Sequence, residues 1–397
     1  MRSGRDRVVW RRAGQKRPIF VRMGEAKEVT PPVSQIVEPV TGPAVQPAVE
    51  GAPVTTPRLA RHLIHLSDGH AVGVAVSGRG IPIVVVHGFS AEGFLYAQTL
   101  SRLVAMGFKV VAVDTAGHGG TQGLPAGGGD LEAYSGLLGR ILDELGIEHA
   151  ILAGHSMGGR LITDLAAARP ERTIAILLLD AIVGDTWDRM VYLFRLAPPL
   201  LVGMAVALVA DTLNPLPLLK NPQQVAKLFK LVVPSYAAHV VQPWRLLGPA
   251  FSILRSGPST PSLTELGEWE VPVFAFHGEW DLVVPIRTAH DAVRRSNGHM
   301  VIIERAGHSW LVKDPETLPA VVSDLMVREL GEACRSALER VGLDPHTADV
   351  DQIEAALYRP DAWILGLSPP NVTHAIAERH RRPAFNWVIE GDTAEAV

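Results

Sequence analysis

At the junction of Ala150–Ala153, a short apolar run that reads as a buried strand, and Met157–Ala168, which reads as a helix, lies the five-residue motif Gly154-His155-Ser156-Met157-Gly158. Two glycines around a serine at such a junction permit a sharp, strained turn that larger side chains would block. The turn lifts the Ser156 hydroxyl above the strand end and aims free helix N-terminal amides at it. A strand entering such a turn must be buried on both faces, so the chain needs further strand and helix repeats around it.

Those repeats are present. Arg61–Leu66 and Ala71–Val76 read as a hairpin turned at Ser67-Asp68-Gly69-His70. Ile83–Val86, entered through Pro82, is a continuous β-branched run. A helical stretch follows at Glu92–Ala105, then a strand at Lys109–Val113 and a helix at Leu131–Leu145. Ile174–Leu179 is a further strand, and Val271–Phe276 and Met300–Ile303 complete the set with a helix between them. Alternation of this kind predicts an α/β fold with a mostly parallel sheet covered by helices on both faces.

Three parts fall outside this pattern. Residues 1–57 comprise a basic arm and a linker, with seven prolines between Pro31 and Pro57 that break helices and sheet ladders. Residues 184–261 form an insertion after the sixth strand, rich in Leu, Val, Ala and Pro, which reads as a helical lid. Its most apolar part, Leu196–Ala210, is shorter than the roughly 20 residues of a membrane span and contains Pro198-Pro199. Residues 343–397 form an extension with helices expected at Gln352–Tyr358 and Asn371–His380. At about 55 residues it is expected to dock on the body rather than fold alone.

Charge and cysteine content narrow the classes. The formal charge of −4 gives no global reason to expect a nucleic-acid partner, although residues 1–30 carry nine Lys or Arg against three acids. No apolar stretch follows that arm, so no secretory signal is read and a cytoplasmic protein is expected. Met23 is an alternative start. The lone Cys334 excludes an internal disulfide framework and a multi-cysteine zinc site. No metal-ligand spacing such as H-E-x-x-H occurs, so neither a metal nor a cofactor is expected.

Serine is a poor nucleophile without a base, and the base needs a carboxylate to orient it. His308, in Arg305-Ala306-Gly307-His308-Ser309, follows the last strand of the set. Asp281, in His277-Gly278-Glu279-Trp280-Asp281, follows the strand before. Both therefore project from strand C-terminal ends, where open α/β sheets place ligands. Asp180 and Glu279 are competing acids. A tetrahedral oxyanion would be held by the backbone N–H of Met157 and by that of Phe89, in His87-Gly88-Phe89-Ser90.

Taken together, Gly154–Gly158, Asp281, His308 and the stretch Asp114-Thr115-Ala116-Gly117-His118-Gly119-Gly120-Thr121 resemble the α/β-hydrolase superfamily over residues 58–342. The form resembles its lidded serine esterases and lipase-like members, among them haloperoxidase-like and monoacylglycerol-lipase-like proteins. Asp114 then closes the loop after its strand. Serine rather than Asp at position 156 separates the chain from epoxide hydrolases and haloalkane dehalogenases. The resemblance implies cleavage of a carboxylic ester with an apolar acyl or alcohol part, through Ser156, Asp281 and His308. Alternatives with the same residues are C–C bond, amide or lactone hydrolysis and peracid formation. A binding or scaffold role for the parts outside the body is an alternative of another class. The expected partner is a small-molecule ester or lipid, with peripheral membrane contact through the lid or the basic arm.

Overall fold

The computed structural model describes residues 59–89, 93–124, 129–219, 221–241, 244–368 and 382–390. The basic arm, the proline-rich linker, Ser90, Gly127-Gly128 and the helix expected at Asn371–His380 lie outside the described residues.

The strands are β1 (Ala60–His65), β2 (Ala71–Ser77), β3 (Pro82–Val86), β4 (Lys109–Val113), β5 (Ala150–His155), β6 (Thr173–Leu179), β7 (Val273–Gly278), β8 (His299–Ile303) and β9 (Trp387–Ile389). They form one sheet in the order β1-β2-β4-β3-β5-β6-β7-β8-β9. β1 and β2 are the hairpin, turned through Gly69 at φ +83°. β2 joins β4 antiparallel, and β3 through β8 run parallel to one another. β3, β4, β5 and β6 are buried along their whole lengths, which is why they read as unbroken apolar runs. Pro82 heads β3, the position where a missing N–H is tolerated.

Helices α1 (Ala97–Ala105), α2 (Leu131–Leu145) and α3 (Met157–Ala168) connect the first parallel strands. α2 shows why its limits were readable: the Asp130 side chain accepts from the Ala133 N–H, and Gly146 ends the helix in the left-handed region. Among the described residues five α-helices lie between β6 and β7: α4 (Gly184–Leu196), α5 (Pro199–Leu213), α6 (Pro222–Val241), α7 (Trp244–Arg255) and α8 (Thr260–Glu268). Pro261 opens α8 in its first turn, where proline costs no helical hydrogen bond. On α5, Leu201, Met204, Ala207 and Leu208 pack toward the core at helical spacing, while Leu200, Val202, Val206 and Val209 are exposed.

α9 (Arg287–Ser296) links β7 to β8, and α10 (Trp310–Lys313), α11 (Thr317–Met326) and α12 (Glu329–Arg340) follow β8. Cys334 is buried in α12, and burial pushes its thiol up to about 12. α13 (Val350–Leu357) starts with a reciprocal cap between Asp349 and Gln352, and α14 (Ile364–Leu367) follows it. Glu354 of α13 accepts from the Gly80 N–H and from the Arg79 guanidinium, and the Tyr358 hydroxyl donates to the Gly80 carbonyl. β9 then pairs antiparallel with β8, Ile302 opposite Val388. The strand set is thus longer than expected, since a three-residue strand carries too little pattern to be read.

Candidate active site

The parallel strands end on one side of the sheet, and the predicted chemical residues stand there. Ser156 holds φ +52° and ψ −114°, a conformation that L-residues rarely adopt. The backbone around it fixes this turn: the Ser156 N–H donates to the Leu179 carbonyl (2.9 Å), and the Ile182 N–H donates to the Ser156 carbonyl (3.2 Å). The flanking glycines are required by contact. A Cβ on Gly158 would lie 2.2 Å from the Val86 carbonyl oxygen, and one on Gly154 would lie 2.5 Å from the Gly158 carbonyl. Met157 opens α3, so its N–H has no partner within the helix.

The loop after β3 passes directly beside this turn. A Cβ on Gly88 would come within 3.0 Å of Ser156 Cβ. Phe89 follows, half-buried against the core. His87 holds the loop from below. Its Nε2 accepts from the Thr115 N–H (2.9 Å), so its Nδ1 carries the proton and donates to the Gly88 carbonyl (2.8 Å). Burial lowers this imidazole to about 4, keeping it neutral.

His308 Nδ1 lies 2.7 Å from Asp281 Oδ2. The other Asp281 oxygen accepts from the N–H groups of Val283 and Val284, at 2.7 and 2.8 Å. Both residues are buried, His308 with 1% exposure and Asp281 with 7%. Burial alone would lower the His308 pKa, but the charge and hydrogen bond of Asp281 outweigh it and raise it. Burial alone would raise Asp281, and the partnership with His308 holds it below the usual range instead.

The competing acids have other duties. Asp180, at φ +47°, accepts from the Gly278 N–H (2.8 Å) and from the Trp310 indole (2.6 Å). Burial, and then the Asp281 charge, raise its pKa well above the carboxylate range. It ties β6, β7 and α10 together. Glu279 accepts from the Arg305 N–H. Asp114 accepts from the Gly120 N–H and closes its loop.

A further histidine was not singled out from the sequence. His155 Nε2 donates to the His308 carbonyl (3.1 Å), and its Nδ1 accepts from the Tyr96 hydroxyl (3.0 Å). Its ring lies 4.8 Å from that of His308, and burial lowers its pKa to about 3. The residue preceding the serine thus reaches across and holds the backbone of the His308 loop. The only signal for it was its place inside the five-residue motif. Among the described residues no hydrogen bond joins Ser156 to the His308 ring.

Two overlapping buried clusters, His155-Asp180-His308 and Asp180-His277-Asp281, bring three possible ligand atoms within 4.8 Å of one another. Most of these atoms already serve hydrogen bonds. His277 Nε2 donates to the Val284 carbonyl, while its Nδ1 has no hydrogen-bond partner. Neither cluster offers a set of free donors suited to an ion.

Residues 83–320 match the family described as Alpha/beta hydrolase family. The chain belongs to this family. This α/β hydrolase is 33% identical over 261 residues to a protein of Mycobacterium phage D29 provisionally described as a non-heme haloperoxidase, a match covering 64% of this chain and 90% of that one. It is 28% identical over 277 residues to a Bacillus subtilis (strain 168) protein provisionally described as a 2-succinyl-6-hydroxy-2,4-cyclohexadiene-1-carboxylate synthase, covering 66% and 97%. A solved thermophilic esterase from Thermogutta terrifontis shares the fold of this α/β hydrolase at a TM-score of 0.51 and 20% identity, covering 67% and 98%.

Proposed function

We propose that this α/β hydrolase is a serine hydrolase that cleaves a carboxylic ester. Ser156 Oγ attacks the carbonyl carbon while its proton passes to His308 Nε2. Asp281 holds the imidazole in the tautomer that leaves Nε2 free and stabilises the imidazolium that forms. The N–H groups of Met157 and Phe89 receive the oxyanion. Collapse expels the alcohol, which takes the proton from His308. Water, deprotonated by His308, then attacks the acyl-enzyme and releases the acid.

The observation that supports this reading best is the 2.7 Å contact of His308 with Asp281 beside a serine held at φ +52°. The missing Ser156–His308 hydrogen bond is compatible with it, because such bonds are often long in the free enzyme and tighten with substrate. Replacing Ser156 with Ala is expected to abolish labelling by a fluorophosphonate probe and to lower p-nitrophenyl ester turnover by several orders of magnitude, on the order of 10⁶ at most. Wild-type protein that never labels would refute the proposal. The Leu-, Val- and Ala-rich composition of the helices between β6 and β7, acting as a lid, supports an apolar acyl group. Each added methylene then favours binding by about 0.8 kcal/mol, so kcat/KM rises from acetate toward roughly C6–C8 esters.

The haloperoxidase description of the phage relative favours a second reading. Hydrogen peroxide could replace water in the last step, releasing a peracid. An assay for halide oxidation with acetate and hydrogen peroxide tests it, and absence of Ser156-dependent oxidation excludes it.

A further inference from the structure

The stretch Pro199–Leu218 has a mean hydropathy of 1.5 and is only 6% buried. Leu196, Leu200, Val202, Val206, Leu216 and Leu219 are all more than half exposed. Exposed apolar side chains continue onto α6 and α7 through Phe229, Val233 and Phe251. An exposed apolar face of this extent marks a contact surface. α5 has 15 residues and so rises about 22 Å, short of the roughly 30 Å hydrocarbon core of a bilayer. Its last turn is also fastened to the body: Asp211 accepts from the Ser309 N–H (2.8 Å), and the Thr212 and Ser309 hydroxyls lie 2.7 Å apart. By length and composition Pro199–Leu218 would suffice to cross a membrane, but an α5 fastened to the body at its last turn is suited to lie in the membrane plane.

Charge selects the occupant. Residues 199–241, from which the face is built, carry three Lys and a single acid, Asp211, in a chain whose formal charge is −4. That acid faces inward onto Ser309 and Lys313, while Lys227 and Lys230 on α6 are exposed. Like charge opposes pairing of this face with a second copy of itself, whereas an anionic surface is attracted. We propose that the face built by α5, the turn after it and α6 docks in the plane of an anionic lipid bilayer, the exposed Leu and Val side chains entering the interface and the lysines meeting the headgroups. This inference goes beyond the proposed ester hydrolysis and does not depend on it. It does place α5, through Asp211 and Ser309, one residue from His308.

The test is co-sedimentation of the full-length protein with phosphatidylcholine vesicles, with and without phosphatidylglycerol, at about 0.1 M salt. Wild-type protein is expected to bind the anionic vesicles and to bind neutral ones far less. The double variant Val202→Asp/Val206→Asp changes two exposed positions and is expected to lose at least about ten-fold in partitioning with an unchanged melting temperature. Lys227→Gln/Lys230→Gln is expected to weaken binding to anionic vesicles only. The basic arm is present in every variant, so equal binding by wild type and the Val202/Val206 variant would assign lipid contact to the arm and overturn the proposal. Absence of wild-type binding overturns it as well. So does a wild-type dimer in sedimentation analysis that the double variant dissociates, because a second copy would then cover the face.

Discussion

The ring of His155 lies 4.8 Å from the ring of His308, and its Nε2 donates to the His308 backbone carbonyl. A side chain adjacent to the proposed nucleophile thus anchors the loop that carries the proposed base. Both ring nitrogens of His155 are occupied, by His308 and by Tyr96, so the ring is fixed. Replacing His155 with Phe keeps the ring and removes both hydrogen bonds. A misplacement of about 1 Å in a reacting group costs on the order of 10²-fold in rate. We expect kcat to fall by roughly 10 to 10²-fold with a smaller change in KM, and the rate of fluorophosphonate labelling to fall in parallel. Unchanged labelling would show that the His308 loop holds its place without His155.

Ser156 stores strain at φ +52°, ψ −114°, and glycine reaches that region freely. Strained backbone of this type costs about 1–3 kcal/mol, while glycine loses about 0.5–1 kcal/mol more entropy on folding than alanine. The difference favours the variant. Ser156→Gly is therefore expected to be inactive and yet to melt at or slightly above the wild-type temperature. A melting temperature several degrees lower would mean that the serine hydroxyl contributes more to the fold than the turn costs.

The pH profile follows from the His308–Asp281 pair. A general base must be neutral, and Asp281 raises the His308 pKa above its ordinary value of about 6.5. Activity is lost as pH falls through that raised pKa, so the acid limb of kcat/KM lies above pH 6.5. Asp281→Asn removes the charge that does the raising. The limb then moves to lower pH, and the plateau falls by about 10⁴, the usual penalty for a wrongly oriented imidazole. A limb that stays in place in the variant would point to a group other than His308.

How much of this was legible beforehand varied with the local chemistry. Lys109–Val113, Leu131–Leu145 and Met157–Ala168 are legible to the residue, because buried strands show as unbroken apolar runs and because Asp130 caps the start of α2 while Gly146 ends it. Trp387–Ile389 was not seen, since three residues cannot display a period and their pairing with β8 is a tertiary fact. The direction of α5 was equally hidden. Its composition announces an apolar helix, but only packing decides that Leu201 and Met204 turn inward while Val202 and Val206 face out. Asp281 is legible as the acid from its place after the strand before His308, whereas the duty of its competitor Asp180 is not, because Asp180 gives its two oxygens to the distant Gly278 and Trp310. His87 and His155 were named only as letters of motifs, because their work lies in hydrogen bonds to distant backbone.

At the opposite end of the sheet α13 holds the turn that leads into β3. Glu354 is buried, accepts from the Gly80 N–H at 3.1 Å and holds the half-exposed Arg79 guanidinium. Gly80 precedes β3 by two residues, whereas Ser156 stands past the C-terminal end of β5 beside it, so about 16 Å of strand separates them. Glu354→Ala leaves the Gly80 N–H without its acceptor, which costs about 1–3 kcal/mol when the group is buried. Loss of the Arg79 pair adds little, because solvent screens the half-exposed Arg79. The melting temperature is therefore expected to drop by a few degrees, with kcat/KM per folded molecule within about two-fold of wild type. A loss of kcat with an unchanged melting temperature would mean that α13 influences Ser156 through the sheet, and that docking of residues 343–368 is not a matter of stability alone.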